Sequence, residues 1–145
     1  MKINELTLPK LLLKSIKNGS FYRSQGSWTL KNNQDSFGNH LETELGEVFC
    51  SKEKIEKETS ELYSGFINDG VYGAQSGWEN SPGFIEDITD FSLLLCFGIS
   101  GDGSPFCLDY RNNPKEPEVI WWDDVYWRKI SPNFAEFVKL LDKSA

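Results

Sequence analysis

Residues 97–141 read FGISGDGSPFCLDYRNNPKEPEVIWWDDVYWRKISPNFAEFVKLL, and their punctuation decides the fold. Just before this stretch the chain enters a near-continuous apolar run, Phe91 to Ile99, the pattern of a central strand covered on both faces. Gly101-Asp102-Gly103 accepts the positive φ angles that a reversal needs, so Phe106 to Tyr110 pairs back as a second strand. A polar turn, Arg111 to Pro117, leads to a third strand at Val119 to Trp122. Asp123-Asp124 turns the chain into a fourth, Tyr126 to Ile130. Ser131-Pro132 is expected to cap and start a helix, because Phe134, Phe137, Val138 and Leu141 recur at i, i+3, i+4, i+7. The expectation is an α+β fold: an antiparallel sheet of four or more strands with a C-terminal helix, and one or two further helices packed on it.

Upstream, Ile55, Thr59, Leu62 and Phe66 recur at helical spacing above a solvated run of Lys and Glu, and Asn68-Asp69-Gly70 ends that helix. Thr7 is the expected cap of a shorter helix from Pro9 to Ile16, whose apolar face is Leu12, Leu13 and Ile16 and whose stop is Asn18-Gly19. Gly26 to Leu30 alternates like a short strand, Val48 to Cys50 suggests another, and Val71 to Pro82 reads as an irregular loop pinned by Tyr72 and Trp78.

The chain has 145 residues, a length that fits one domain spanning 1–145. Its net charge of −7, from 15 Lys plus Arg against 22 Asp plus Glu, argues against nucleic-acid binding, which needs cations to displace phosphate counterions. A basic protein partner is electrostatically easier. No apolar run reaches the ~20 residues of a membrane helix. Pro9, Lys10 and Lys14 break the initial apolar patch too soon for a signal-peptide core, so a cytoplasmic location is expected. Cys50, Cys96 and Cys107 form no C-x-x-C pair and are read as reduced thiols.

No motif for chemistry assembles. Gly98, Gly101 and Gly103 miss the spacing of a phosphate loop and read as hairpin turn. Asp87, Asp90, Asp102, Asp109, Asp123 and Asp124 include no D-x-D-x-D-G loop, so neither a metal nor a cofactor is expected. Asp109, inside a strand, needs a hydrogen-bonding partner, and a tie to a neighbouring loop is the expected one. His40 is the one imidazole available to Ser76, Ser100, Cys96 or Cys107 as nucleophile, and Gly98-Ile99-Ser100-Gly101 misses the nucleophile elbow by one position. His40 reads as an exposed loop residue and the chain as a non-enzyme. The aromatic cluster Trp121, Trp122, Tyr126 and Trp127 beside Asp123 and Asp124 suits a partner interface, with internal packing of all four rings as the competing reading. Strand alternation sends Trp121 and Trp122 to opposite faces. The partner-binding candidates are Trp122, Asp123, Asp124 and Tyr126, Asp102 on the hairpin, and Trp78 with Glu79 on the irregular loop.

The quoted stretch resembles the SUKH superfamily, the Smi/Knr-like domains of bacterial toxin-immunity proteins and fungal cell-wall regulators. Gly101, Asp102 and Gly103 match the family's turn, and Phe106, Leu108 and Asp109 its closing strand. Val119 with Trp121 or Trp122 matches the third strand, and Phe134, Phe137 and Leu141 the final helix. The likeness covers the last third of the chain. The family's "Leu-Pro-x-x-Tyr" segment is met by Leu8-Pro9 without its tyrosine. The resemblance implies a single Smi/Knr-like domain and a non-catalytic, cytoplasmic immunity protein that binds and blocks a cognate bacterial toxin, many such toxins being nucleases. The alternative it leaves open is a regulatory or scaffold module related to the cell-wall assembly regulators.

Overall fold

A computed structural model describes residues 2–19, 27–65, 80–85, 88, 90–123 and 126–143. The central element is β5 (Leu94–Ser100), buried at every position but Ile99. It is the middle strand of a seven-stranded antiparallel sheet built with β3 (Trp28–Leu30), β4 (Glu44–Val48), β6 (Pro105–Asp109), β7 (Glu118–Trp122), β8 (Trp127–Ser131) and β9 (Leu141–Lys143). The order across the sheet is β8-β7-β6-β5-β4-β3-β9. The expected four-strand meander is β5 to β8, and its pairing Leu95↔Leu108, Cys107↔Ile120 and Trp122↔Trp127 follows the turns read from the sequence. At the N-terminus β1 (Lys2–Ile3) and β2 (Leu6–Thr7) form a separate hairpin, whose central residues Asn4 and Glu5 both take positive φ. That geometry matches the twist of the paired strands. Tyr110 at the end of β6 donates its hydroxyl to Thr7 O at 2.8 Å and pins the hairpin to the sheet.

Helices complete the layers. On α3 (Phe134–Leu140), Phe134 and Phe137 meet Phe97 edge-on at 5.4 and 5.7 Å, and Phe137 reaches Phe106 at 5.8 Å. Trp121 extends this aromatic layer through Phe106 at 6.0 Å. Such tilted and edge-to-face pairs add to the stabilisation from area burial alone. The second helix, α2 (Lys52–Gly65), buries Ile55, Thr59 and Leu62 and packs along β5. Leu12 of α1 (Lys10–Asn18) is fully buried, Leu13 and Ile16 pack against the core, and Gly19 closes the helix in the left-handed conformation.

Four local expectations are corrected. Thr7 lies in β2 and does not cap α1, whose N-cap position is Pro9, a residue unable to donate and without a capping side chain. Asn133, not Ser131-Pro132, caps α3: its Oδ1 accepts from Glu136 N at 2.8 Å, while Ser131 closes β8. The strand expected at Val48 to Cys50 lies earlier, at Glu44–Val48. Leu141 leaves the helix and opens β9, which pairs with β3 through Leu30↔Leu141. The helix end at Asn68-Asp69-Gly70 and most of the loop from Val71 to Pro82 lie outside the described residues.

Between Cys96 and Gly98 the β5–β6 register slips by a bulge, and the buried Cys96 amide donates to Thr59 Oγ1 at 2.9 Å. An unpaired buried amide carries a penalty of roughly 1–3 kcal/mol. Thr59→Val should therefore lower the unfolding free energy by about that amount in urea titrations, while Thr59→Ser, which keeps the acceptor, loses markedly less. Equal losses in the two variants would refute the bond's role.

Candidate functional site

One end of the sheet, where β5 turns into β6, carries a groove of about 620 Å³. Its making begins with the hairpin. Gly103 N donates to Ser100 O at 3.0 Å and Ser100 N to Ser104 O at 2.9 Å, closing a three-residue loop in which Gly103 takes φ +91. The Ser100 hydroxyl donates to the Asp102 carboxylate and accepts from Ser104 N at 3.0 Å. That hydroxyl, donated to Asp102, holds its carboxyl below the usual carboxylate range.

The opposite wall comes from the connection between β3 and β4. Glu42 and Glu44 are two residues apart where β4 begins, a spacing that sends both carboxylates to one side of an extended chain. Glu44 accepts from Ser27 Oγ at 2.5 Å and lies against Gly101, where a Cβ would fall on its carboxylate. Trp121 and Asp123, at the end of β7, complete the lining. Asp123 N donates to Tyr126 O at 2.9 Å, tightening the turn into β8. Burial, then a hydrogen bond from the phenol to Asp123, pushes the Tyr126 hydroxyl above its ordinary value.

What anchors the β3–β4 wall is a buried ion pair. Asp35 accepts from Phe37 N at 2.8 Å and Asn39 N at 3.0 Å through Oδ1, and from Arg128 Nη2 at 3.1 Å through Oδ2. Both side chains are almost fully buried. Arg128 Nη2 also donates to His40 O at 3.3 Å, and Ser36 N donates to Ile130 O at 2.9 Å. Asp35 and Arg128 thus strap the β3–β4 connection, residues 31–43, onto β8 at the far edge of the sheet. Arg128 Nη1 stands 4.0 Å from Asp123, so one guanidinium serves two carboxylates. Among the described residues the groove lining contains Glu42, Glu44, Asp102 and Asp123 and no Lys or Arg. The geometry suits a cationic surface feature of a partner.

Of the sequence candidates, Asp102 and Asp123 meet in this groove, and Tyr126 touches it through Asp123. Trp122 lies on the other face of β7, half-buried against Trp127 at 5.5 Å, and Trp121 lines the groove in its place. Trp78, Glu79 and Asp124 lie outside the described residues. Glu42 and Glu44 were missed because β4 was placed too late; the alternation Leu41-Glu42-Thr43-Glu44-Leu45, with its buried leucines, carries the signal. Asp109 is the structural tie expected of it, gripping Arg111 Nε and Nη2 at 3.0 and 2.9 Å. The His40 side chain is exposed and stands 3.5 Å from Glu42, while Ser100 Oγ is directed to Asp102. Among the described residues no cluster of three His, Cys, Asp or Glu side chains could hold a metal, and no helix is long and apolar enough to cross a membrane.

The chain is thus an α+β domain with a curled antiparallel sheet and a polar recess at one end of it. The SMI1 / KNR4 family (SUKH-1) matches residues 7–140, and the chain belongs to that family. The match extends the likeness from the last third of the chain to α1, the strap and β4. No curated protein and no solved structure matches the chain.

Two tests follow from the groove. Asp35→Ala and Arg128→Ala should each cost roughly 3–5 kcal/mol in chemical denaturation, because each strands a buried charge. The double variant should cost clearly less than the sum; additive losses would show that the pair is not the unit. Ser100→Ala should raise the Asp102 pKa toward the ordinary carboxylate value in an NMR pH titration, since the charged form loses its donor. An unchanged titration would remove the Ser100 hydroxyl from the site's electrostatics.

Proposed function

We propose that this chain is an immunity-type binding protein that neutralises a basic toxin domain by masking it, without chemistry of its own. The observation that carries the reading is the groove's charge: four carboxylates, Glu42, Glu44, Asp102 and Asp123, with no cation among the described lining residues. Family membership supports a protein-binding role of immunity or regulatory kind. In this reading the carboxylates accelerate encounter with a positive surface, and a buried aromatic contact then slows release. Trp122 and Tyr126 flank the β7–β8 turn as the proposed anchors, with Asp124, Trp78 and Glu79 as further contacts. The toxin's own cation-rich nucleic-acid site is the chemistry such a groove would cover. The protein would act where the toxin is a threat, in the cytoplasm.

The test is binding to any toxin domain found encoded beside this gene, measured by stopped-flow association and by protection of the toxin's substrate; a neighbourhood with no toxin gene would count against the reading. Glu44→Lys with Asp123→Lys should slow association about tenfold at low salt and flatten its salt dependence. Trp122→Ala should act mainly on dissociation. Binding of several endogenous proteins, none of them a toxin and none sensitive to these reversals, would favour the regulatory or scaffold reading instead.

A further inference from the structure

A second surface, running along α1 from the other end of the sheet, has the opposite charge. β6 starts at the acidic groove, and Tyr110 just past its end holds the N-terminal hairpin, so the start of α1 and the β6–β7 connection lie away from the groove. Lys14, farther along α1, lies beside Trp28, the chain neighbour of the groove's Thr29. α1 reads KLLLKSIKN: it carries Lys10, Lys14 and Lys17 and no carboxylate. Lys115, on the β6–β7 connection, lies beside its start. None of these four ammonium groups pairs with a carboxylate among the described residues, although the chain as a whole is acidic.

Between them lies apolar surface. Leu11 is 41% exposed, one of two large apolar side chains so exposed among the described residues. It separates two grooves. One, of about 430 Å³, is walled by Pro9, Lys10, Lys115, Pro117 and Phe134, with Glu116 as its one acidic member. The other, of about 400 Å³, is walled by Lys14, Trp28, Val138 and Leu141. Among the described residues three ammonium groups thus face the two grooves against a single carboxylate.

We propose that this face docks an acidic peptide segment of a protein partner, its carboxylates over Lys10, Lys14 and Lys115 and its apolar side chains in the grooves beside Leu11. Charge complementarity selects the sign of the partner. The grooves select a peptide over a lipid surface: Leu12 is spent in the core, Leu13 and Ile16 pack against it, and a single projecting leucine is too little for insertion into a bilayer. The surface shares no lining residue with the acidic groove and does not depend on the toxin-binding reading.

The experiment is an amide NMR titration of the full chain with an acetylated Glu-Leu-Glu-Leu-Glu peptide, a second peptide with serine in place of leucine, and phosphatidylglycerol-containing vesicles. The expected result is saturable shifts confined to α1, the Lys115–Pro117 segment and α3, with affinity falling about tenfold in Leu11→Ser and in Lys10→Glu with Lys14→Glu. These positions are exposed, so the variants should keep the wild-type urea midpoint. Absence of saturable shifts at about millimolar peptide, equal binding of the serine peptide, or binding of vesicles without binding of the peptide would each overturn the proposal.

Discussion

Asp35 is a carboxylate with almost no access to water, and the shape of the molecule depends on how Arg128 answers it. The two residues are 93 apart in sequence and belong to opposite sides of the sheet: Asp35 follows β3, next to the β9 edge, and Arg128 lies on β8, the other edge. They can meet only because the sheet curls enough for a connection leaving one side to reach the other. Neither charge is tolerable there alone, since removing one partner leaves an uncompensated buried ion. The carboxylate also receives two backbone amides of its own loop, so the loop's turn and its anchorage share one group. Ser36 N on Ile130 O, and Lys129 N on Gly83 O, then occupy β8 edge groups that would otherwise invite another strand. Glu42 takes its place in the acidic groove from this strap, because the connection that carries it is anchored by Arg128 on Asp35 and on His40 O.

The curl has its own local cause. β4 slips register between Leu45 and Glu47, and β5 slips between Cys96 and Gly98, so two adjoining strands carry bulges at nearly the same level. Bulges bend a strand and increase its twist. At that level the backbones come very close: a Cβ on Gly98 would stand 2.6 Å from Glu47 O. Gly98 is therefore a packing glycine inside a strand, whereas Gly103 is a turn glycine with positive φ. The bend also gathers Phe97 and Phe106 under α3, where Phe134 and Phe137 fill the concave side.

The second half was legible in the sequence because its signals are local. Gly101-Asp102-Gly103 names its own reversal, the apolar run ending at Ile99 is a doubly covered strand, and Phe134 and Phe137 mark a helix face. The first half was harder because its strands are fixed from outside. β3 and β9 are three residues each, too short for alternation to declare them, and they exist because they pair with each other across most of the chain. Likewise Asp35 looks like any loop aspartate and Arg128 like any strand cation; nothing within several residues of either announces the other. Half of the acidic wall followed them out of sight, since Glu42 belongs to the strapped connection and Glu44 opens β4, whose place is set by pairing with β5. The tryptophan choice was lost differently: alternation separates Trp121 from Trp122, but only the position of α3 tells which face is which.

Net charge is an average, and here the average conceals the arrangement. At physiological salt a field decays over about 8–10 Å, while a strand of five residues such as β6 spans roughly 17 Å. The acidic groove at the start of β6 and Lys10 and Lys115 beyond its end are therefore nearly independent electrostatic surfaces. A partner approaching either end meets the local sign rather than the total of −7. The sheet that separates them is held rigid by the Phe97–Phe106–Phe137 layer and closed by the Asp35–Arg128 strap. One small domain can in this way present two faces of opposite charge without either neutralising the other, which a shorter strand or a more open sheet would not allow.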